Sequence, residues 1–83
     1  MMKREILELF HELSIEFDLI PLRIRQGVEK LYVFEYITPS DIKIGDILAK
    51  IEKDPVLQPL DWEMEKDEML NNTILRIMVK KKG

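Results

Sequence analysis

The chain has 83 residues, 46% hydrophobic and 35% charged, with no cysteine, one histidine and a formal net charge of -3. That length supports one small domain, whose folded surface of about 5,200 Å² against about 14,400 Å² unfolded leaves a thin core. Disulfides and cysteine metal sites are excluded as reinforcement, so aliphatic packing or a second copy of the chain must supply it; the acidic balance excludes a global basic field for nucleic acid.

Apolar runs fall far short of the roughly 20 residues that cross a bilayer. The opening Met2-Lys3-Arg4-Glu5-Ile6-Leu7-Glu8 lacks the continuous apolar segment of a signal peptide, so a cytoplasmic location without a membrane partner is expected. Abundant Lys, Glu and Ile beside few Gln and Asn point to a thermophilic context. The domain is read as residues 1–83, with an ordered core over 2–80 and a basic tail over 81–83.

Residues 2–16 are predicted as a helix, because Met2, Ile6, Leu9, Phe10, Leu13 and Phe17 form one stripe opposite Arg4, Glu8, His11 and Glu12. Two alternating segments follow, Ile20, Leu22 and Ile24 interleaved with Arg23 and Arg25, then Leu31, Val33 and Ile37 interleaved with Tyr32, Phe34 and Tyr36. Gly27-Val28 suits a type II′ turn that would pair Gln26 with Glu29, Arg23 with Tyr32 and Leu22 with Val33. This register gathers the aliphatic residues on one face and Arg23, Arg25, Tyr32, Phe34 and Tyr36 on the other. A three-residue loop would shift the pairing by one and set the aromatics opposite Leu22 and Ile24.

Thr38-Pro39-Ser40-Asp41 reads as a helix start, with Thr38 as N-cap and Pro39 at the first helical position. Ile44, Ile47, Leu48 and Ile51 then form a stripe that Asp54-Pro55 ends. A rival reading makes two short strands around Gly45-Asp46. On that reading Ile42-Lys43-Ile44-Gly45-Asp46-Ile47-Leu48-Ala49-Lys50-Ile51-Glu52 is similar to one hairpin of biotinyl and lipoyl carrier domains, where a strand, a Gly-Asp turn and a second strand recur. Those domains carry a modified lysine in a Met-Lys-Met or Asp-Lys-Ala turn; this chain has neither, and the helix is preferred.

In the last third, Leu60, Trp62 and Met64 alternate with Asp61, Glu63 and Glu65, and Leu75, Ile77 and Val79 with Arg76, Met78 and Lys80. Residues 61–70 would make a poor helical stripe, with Trp62, Met64 and Leu70 scattered. A type I′ turn at Asn71-Asn72 would set Asp67 against Arg76, Glu63 against Lys80 and Asp61 against Lys82.

The chemistry-bearing inventory is meagre. His11 projects away from its helix's apolar stripe, and Thr38 and Ser40 serve as caps, so no catalytic residues are assigned and the chain is read as not an enzyme. Asp61, Glu63, Glu65, Asp67 and Glu68 have no EF-hand spacing and read as an outward strand face and hairpin tip. No metal, cofactor or phosphate loop is assigned; Gly27 and Gly45 are isolated. Glu35 is the odd residue, a possible perturbed acid on the face of Leu31, Val33 and Ile37.

The expected architecture is α+β and two-layer: two helices on one face of a mainly antiparallel four-stranded sheet, in the order αββαββ. With helices on the aliphatic face, Arg23, Arg25, Tyr32, Phe34, Tyr36, Ile74 and Met78 would share the uncovered side, more apolar and aromatic surface than a small monomer leaves in water. The expected function is a non-catalytic binding or assembly module that homodimerises through this face, or associates there with a protein partner. The alternative is a regulator binding single-stranded nucleic acid, its bases stacked on Tyr32, Phe34 and Tyr36 and its phosphates held by Arg23 and Arg25. The acids at Asp61, Glu63 and Glu65 on the same side disfavour nucleic acid.

Overall fold

The computed structural model describes residues 4–39, 41–69 and 71–83. In chain order the elements are α1 (Arg4–Glu16), β1 (Ile20–Gln26), β2 (Leu31–Thr38), α2 (Ile44–Glu52), β3 (Leu57–Asp67) and β4 (Asn72–Lys81). The strands form one antiparallel sheet in the order β1-β2-β4-β3, and the helices pack on it as a second layer. This is the expected αββαββ arrangement. Met2, Ser40 and Leu70, expected in a stripe, at a cap and in a disfavoured helix, lie outside the described residues.

Helix α1 buries Ile6, Leu9, Phe10 and Leu13, four positions of the expected stripe. It stops at Asp18, whose φ of 56° is left-handed, while the Leu19 N–H donates to the Ser14 carbonyl at 2.8 Å. That six-to-one bond is a Schellman closure, and it turns the buried Leu19 back under the helix as the chain passes into β1. Helix α2 begins later than the Thr38-Pro39 signal suggested. Thr38 is the last residue of β2, paired with Thr73 and buried, and Lys43 is the N-cap. Sheet pairing takes Thr38 because its neighbour Tyr36 must stay in the core. From Ile44 the stripe works as expected: Ile47 and Ile51 are buried, and Ile44 and Leu48 pack at the margin. The stretch is a helix, not the paired strands of a carrier-domain hairpin. Lys50 Nζ reaches Glu16 at 3.1 Å and ties the two helices side by side.

The first hairpin corrects the expected register. Gly27-Val28 is not the centre of a two-residue turn. The Leu31 N–H donates to the Val28 carbonyl at 3.1 Å across Glu29 and Lys30, whose φ values are 55° and 65°, and the Gly27 N–H donates to the Leu31 carbonyl at 2.7 Å. Three residues thus lie between Gly27 and Leu31, and the pairing is displaced by three residues, not by the one of the alternative: Ile24 stands opposite Phe34, Gln26 opposite Tyr32 and Arg23 opposite Glu35. Two non-glycine residues at positive φ cost about 1–2 kcal/mol each. Against that, the shift turns Tyr32, Phe34 and Tyr36 inward, and fully burying a large apolar side chain stabilises by about 1.5–3 kcal/mol. The larger sum sets the register.

Tyr32, Phe34 and Tyr36 accordingly join Leu75, Ile77 and Val79 under the helices. The Phe10 ring stacks on Tyr36 at 4.8 Å and meets Phe34 edge-on at 5.3 Å, and the Tyr36 hydroxyl donates to the Phe10 carbonyl at 2.8 Å. Burial pushes the Tyr36 phenol pKa well above its usual range.

The second hairpin is displaced from the Asn71-Asn72 turn. Asp67 pairs with Asn72, so Glu63, not Asp67, faces Arg76. Lys80 faces Gln58, and Asp61 faces Met78. A shift of four residues preserves the alternation, so the inward and outward faces of β3 and β4 stand as expected. The basic end is not a loose tail: Lys81 is in β4, and Lys82 Nζ donates to the carbonyls of Glu52, at 2.8 Å, and Asp54, where α2 ends. A cation there complements the negative pole of the helix.

Candidate functional site: the helix-free face of the sheet

Because the register places the aromatics beneath the helices, the opposite face is made of other residues. Arg23, Arg25, Ile74 and Met78 lie on it; Tyr32, Phe34 and Tyr36 do not, which corrects the expected face. Those three rings are buried, so the residues that carried the nucleic-acid alternative are not exposed for bases to stack on.

The strand register arranges this face in rows running across the sheet from β1 to β3. One row is Arg23, Glu35, Arg76 and Glu63; the next is Arg25, Val33, Met78 and Asp61; a third is Ile20, Ile37, Ile74 and Glu65. Every row ends in an acid on β3, and two of the three begin with an arginine on β1. Val33, Ile37, Ile74 and Met78 are only half-buried in the central strands. A depression of about 330 Å³ lies among Arg25, Val33, Trp62 and Met78.

Glu35 is the centre of the site. It is 1% exposed although no helix covers it. Arg76 Nε donates to its Oε2 at 2.9 Å, Arg23 Nε donates to Oε1, and Arg25 Nε stands 3.4 Å from the same oxygen. Burial alone would push the carboxyl up, but the hydrogen bonds from Arg23 and Arg76 and the charges of Arg23 and Arg25 together hold it below its ordinary value. Arg76 also donates to Glu65 at 2.8 Å and Glu63 at 3.2 Å, so its guanidinium bridges the central carboxylate to the acidic strand and its own pKa is raised. Glu35 stands out in the sequence as an acid on an apolar face; Arg76 does not, because only the four-residue shift of the second hairpin sets that arginine between Glu35 and Glu63.

The remaining expected residues are placed as follows. His11 is exposed on α1, its ring edge-on to Phe10 at 5.4 Å. Among the described residues, no three His, Asp or Glu converge to hold a metal ion, and no helix is long and apolar enough to cross a membrane. Asp61 accepts a hydrogen bond from the Trp62 N–H at 2.8 Å and has no cation within salt-bridge distance among the described residues.

Both sheet edges are blunted. β1 carries Pro21 and an irregular pairing between Pro21 and Arg23, and β3 carries Pro59 and a second one between Pro59 and Asp61. Proline removes a donor and a bulge twists the edge away, so strand addition to either side is opposed. Compared with family models, curated proteins and solved structures, the chain matches none.

Proposed function

We propose that the chain is a non-catalytic assembly module that homodimerises through the helix-free face of its sheet. The observation that carries this reading is the half-buried apolar pairs Val33–Met78 and Ile37–Ile74 lying beside the shielded Glu35 with no second layer over them. Several features support it. The accessible surface, 5684 Å², exceeds the about 5,200 Å² expected of a compact monomer of this mass. Four strands about 4.8 Å apart and about seven residues long give a face of roughly 450 Å² in plan. Standing side chains enlarge it toward the roughly 800 Å² per partner of a standard interface. Arginine and methionine are residue types that interfaces favour. The blocked edges and the self-complementary charge on the face favour a second copy over an extended peptide.

Sedimentation at micromolar concentration tests this. Wild type is expected to sediment as a dimer and Val33→Asp as a folded monomer; a wild type that stays monomeric to about 100 μM would sink the reading. Phe34→Asp is unsuited to the purpose, because Phe34 is fully buried and its replacement would unfold the domain.

A further inference from the structure

Resting on the proposed dimer, we infer that its two-fold axis runs parallel to the strands, so that β1 of each copy lies over β3 of the other and Arg25 meets Asp61 of the second copy.

Aligned packing of two identical sheet faces about a two-fold axis allows two arrangements. With the axis across the strands, β1 lies on β1 of the second copy with its direction reversed, so the Arg23 and Arg25 margin of one copy faces the same margin of the other. With the axis along the strands, the order β1-β2-β4-β3 lies on its reverse, so β1 covers β3 and β2 covers β4. A two-fold rotation about that axis also leaves height along the strands unchanged, so every cross-sheet row lies on the same row of the second copy. The register then dictates the contacts without adjustment. In the Arg25 row, Arg25 meets Asp61 and Val33 meets Met78; in the Glu35 row, Arg23 meets Glu63 and Glu35 meets Arg76; in the third, Ile37 meets Ile74.

In the first two rows apolar thus meets apolar and each charge meets its opposite, twice over by symmetry; in the third, Ile20 meets Glu65, whose carboxylate keeps its bond from Arg76 of its own chain. The alternative axis stacks arginine on arginine at one margin and acid on acid at the other, and like-charge juxtaposition across an interface is strongly unfavourable. Within one chain Arg25 reaches only the margin of Glu35, at 3.4 Å, and Asp61 has no cation within reach among the described residues. These are the charges that a second copy would satisfy.

Charge exchange tests the arrangement. R25D alone and D61R alone each place like charges at both symmetric contacts and are expected to raise the dissociation constant at least about tenfold. Mixing the two variants in equal amounts restores complementary contacts at both, so a heterodimer should form that neither variant matches by itself. Since Arg25 also neighbours Glu35, circular dichroism must show R25D folded. Should it unfold, cross-linking decides, because the chain has no cysteine of its own. A short bismaleimide should join an R25C chain to a D61C chain, whereas the other axis predicts R25C joined to R25C. R25C homo-cross-links, or D61R dimerising as tightly as wild type while Val33→Asp does not dimerise, would overturn the strand-parallel axis and leave the dimer itself standing. A monomeric wild type would remove both.

Discussion

Glu35 on β2 and Arg76 on β4 stand directly opposite each other in the sheet, joined Nε to Oε2 at 2.9 Å, on the face that carries no helix. The carboxylate is shielded by guanidinium groups instead of hydrocarbon, and those groups are the reason it can remain charged while nearly inaccessible.

Replacing Glu35 with Gln should therefore cost about 2 kcal/mol at neutral pH, the loss of charge-assisted hydrogen bonds that leaves three arginines facing a neutral amide. The pH dependence has a defined sign. The folded state holds this carboxyl below its ordinary value of 4.5, so its contribution is fully present above that value and is lost as pH falls through the lower, folded one. Wild type and Glu35→Gln should differ by a constant amount above about pH 5 and converge in more acidic solution. Urea unfolding at stepped pH measures this, and parallel profiles down to acid unfolding would show that Glu35 is not held down.

Tyr36→Phe probes the link between α1 and the sheet. The hydroxyl donates to the Phe10 carbonyl within the core, so its removal should cost about 1 kcal/mol while the ring stacking survives. Because burial raises the phenol pKa in the folded state, its stabilising contribution is present below the ordinary value of 10.0 and declines as pH rises beyond it. Wild type should lose stability above about pH 10 more steeply than Tyr36→Phe. An absorbance titration near 295 nm should show one tyrosine ionising only as the protein unfolds.

How far the sequence disclosed the fold differs between the two hairpins. Local alternation was enough to mark all four strands, and in β3 and β4 a four-residue error in the turn left every face correct because four is even. In β1 and β2 an error of three residues, an odd number, exchanged core and surface. The information that decided it was not local: Glu29 and Lys30 adopt left-handed backbone that their own propensities oppose, and only the burial of Tyr32, Phe34 and Tyr36 against a helix from elsewhere in the chain compels it. The same holds for Thr38-Pro39, a valid capping signal overridden by pairing with Thr73. The candidate site inherited this split, with Arg23, Arg25, Ile74 and Met78 legible, Glu35 noticed as anomalous and Arg76 hidden until the strands were aligned.

The strained turn can be relieved. Glu29→Asn with Lys30→Gly supplies residues that tolerate positive φ at both central positions, and should stabilise the domain by about 1–2 kcal/mol without altering the register. For a domain of this size each kcal/mol raises Tm by about 4–8 °C. Calorimetry reads the gain directly. An unchanged or lower Tm would mean that the left-handed pair at Glu29 and Lys30 is not where the cost of the register falls.

Finally, dimerisation through the sheet face makes stability depend on concentration, since the second copy binds the folded chain and not the unfolded one. For a dimer that unfolds to two chains, about a hundredfold increase in protein concentration adds about 1.4 kcal/mol per chain, or several degrees in Tm. Wild type should show this shift and Val33→Asp should not, its midpoint being the same in dilute and concentrated solution. The comparison separates a face that is merely half-buried within the monomer from one completed by association: an aspartate at Val33 that lowers Tm equally at every concentration, beside a wild type insensitive to concentration, would assign Val33 to the monomer's own packing alone.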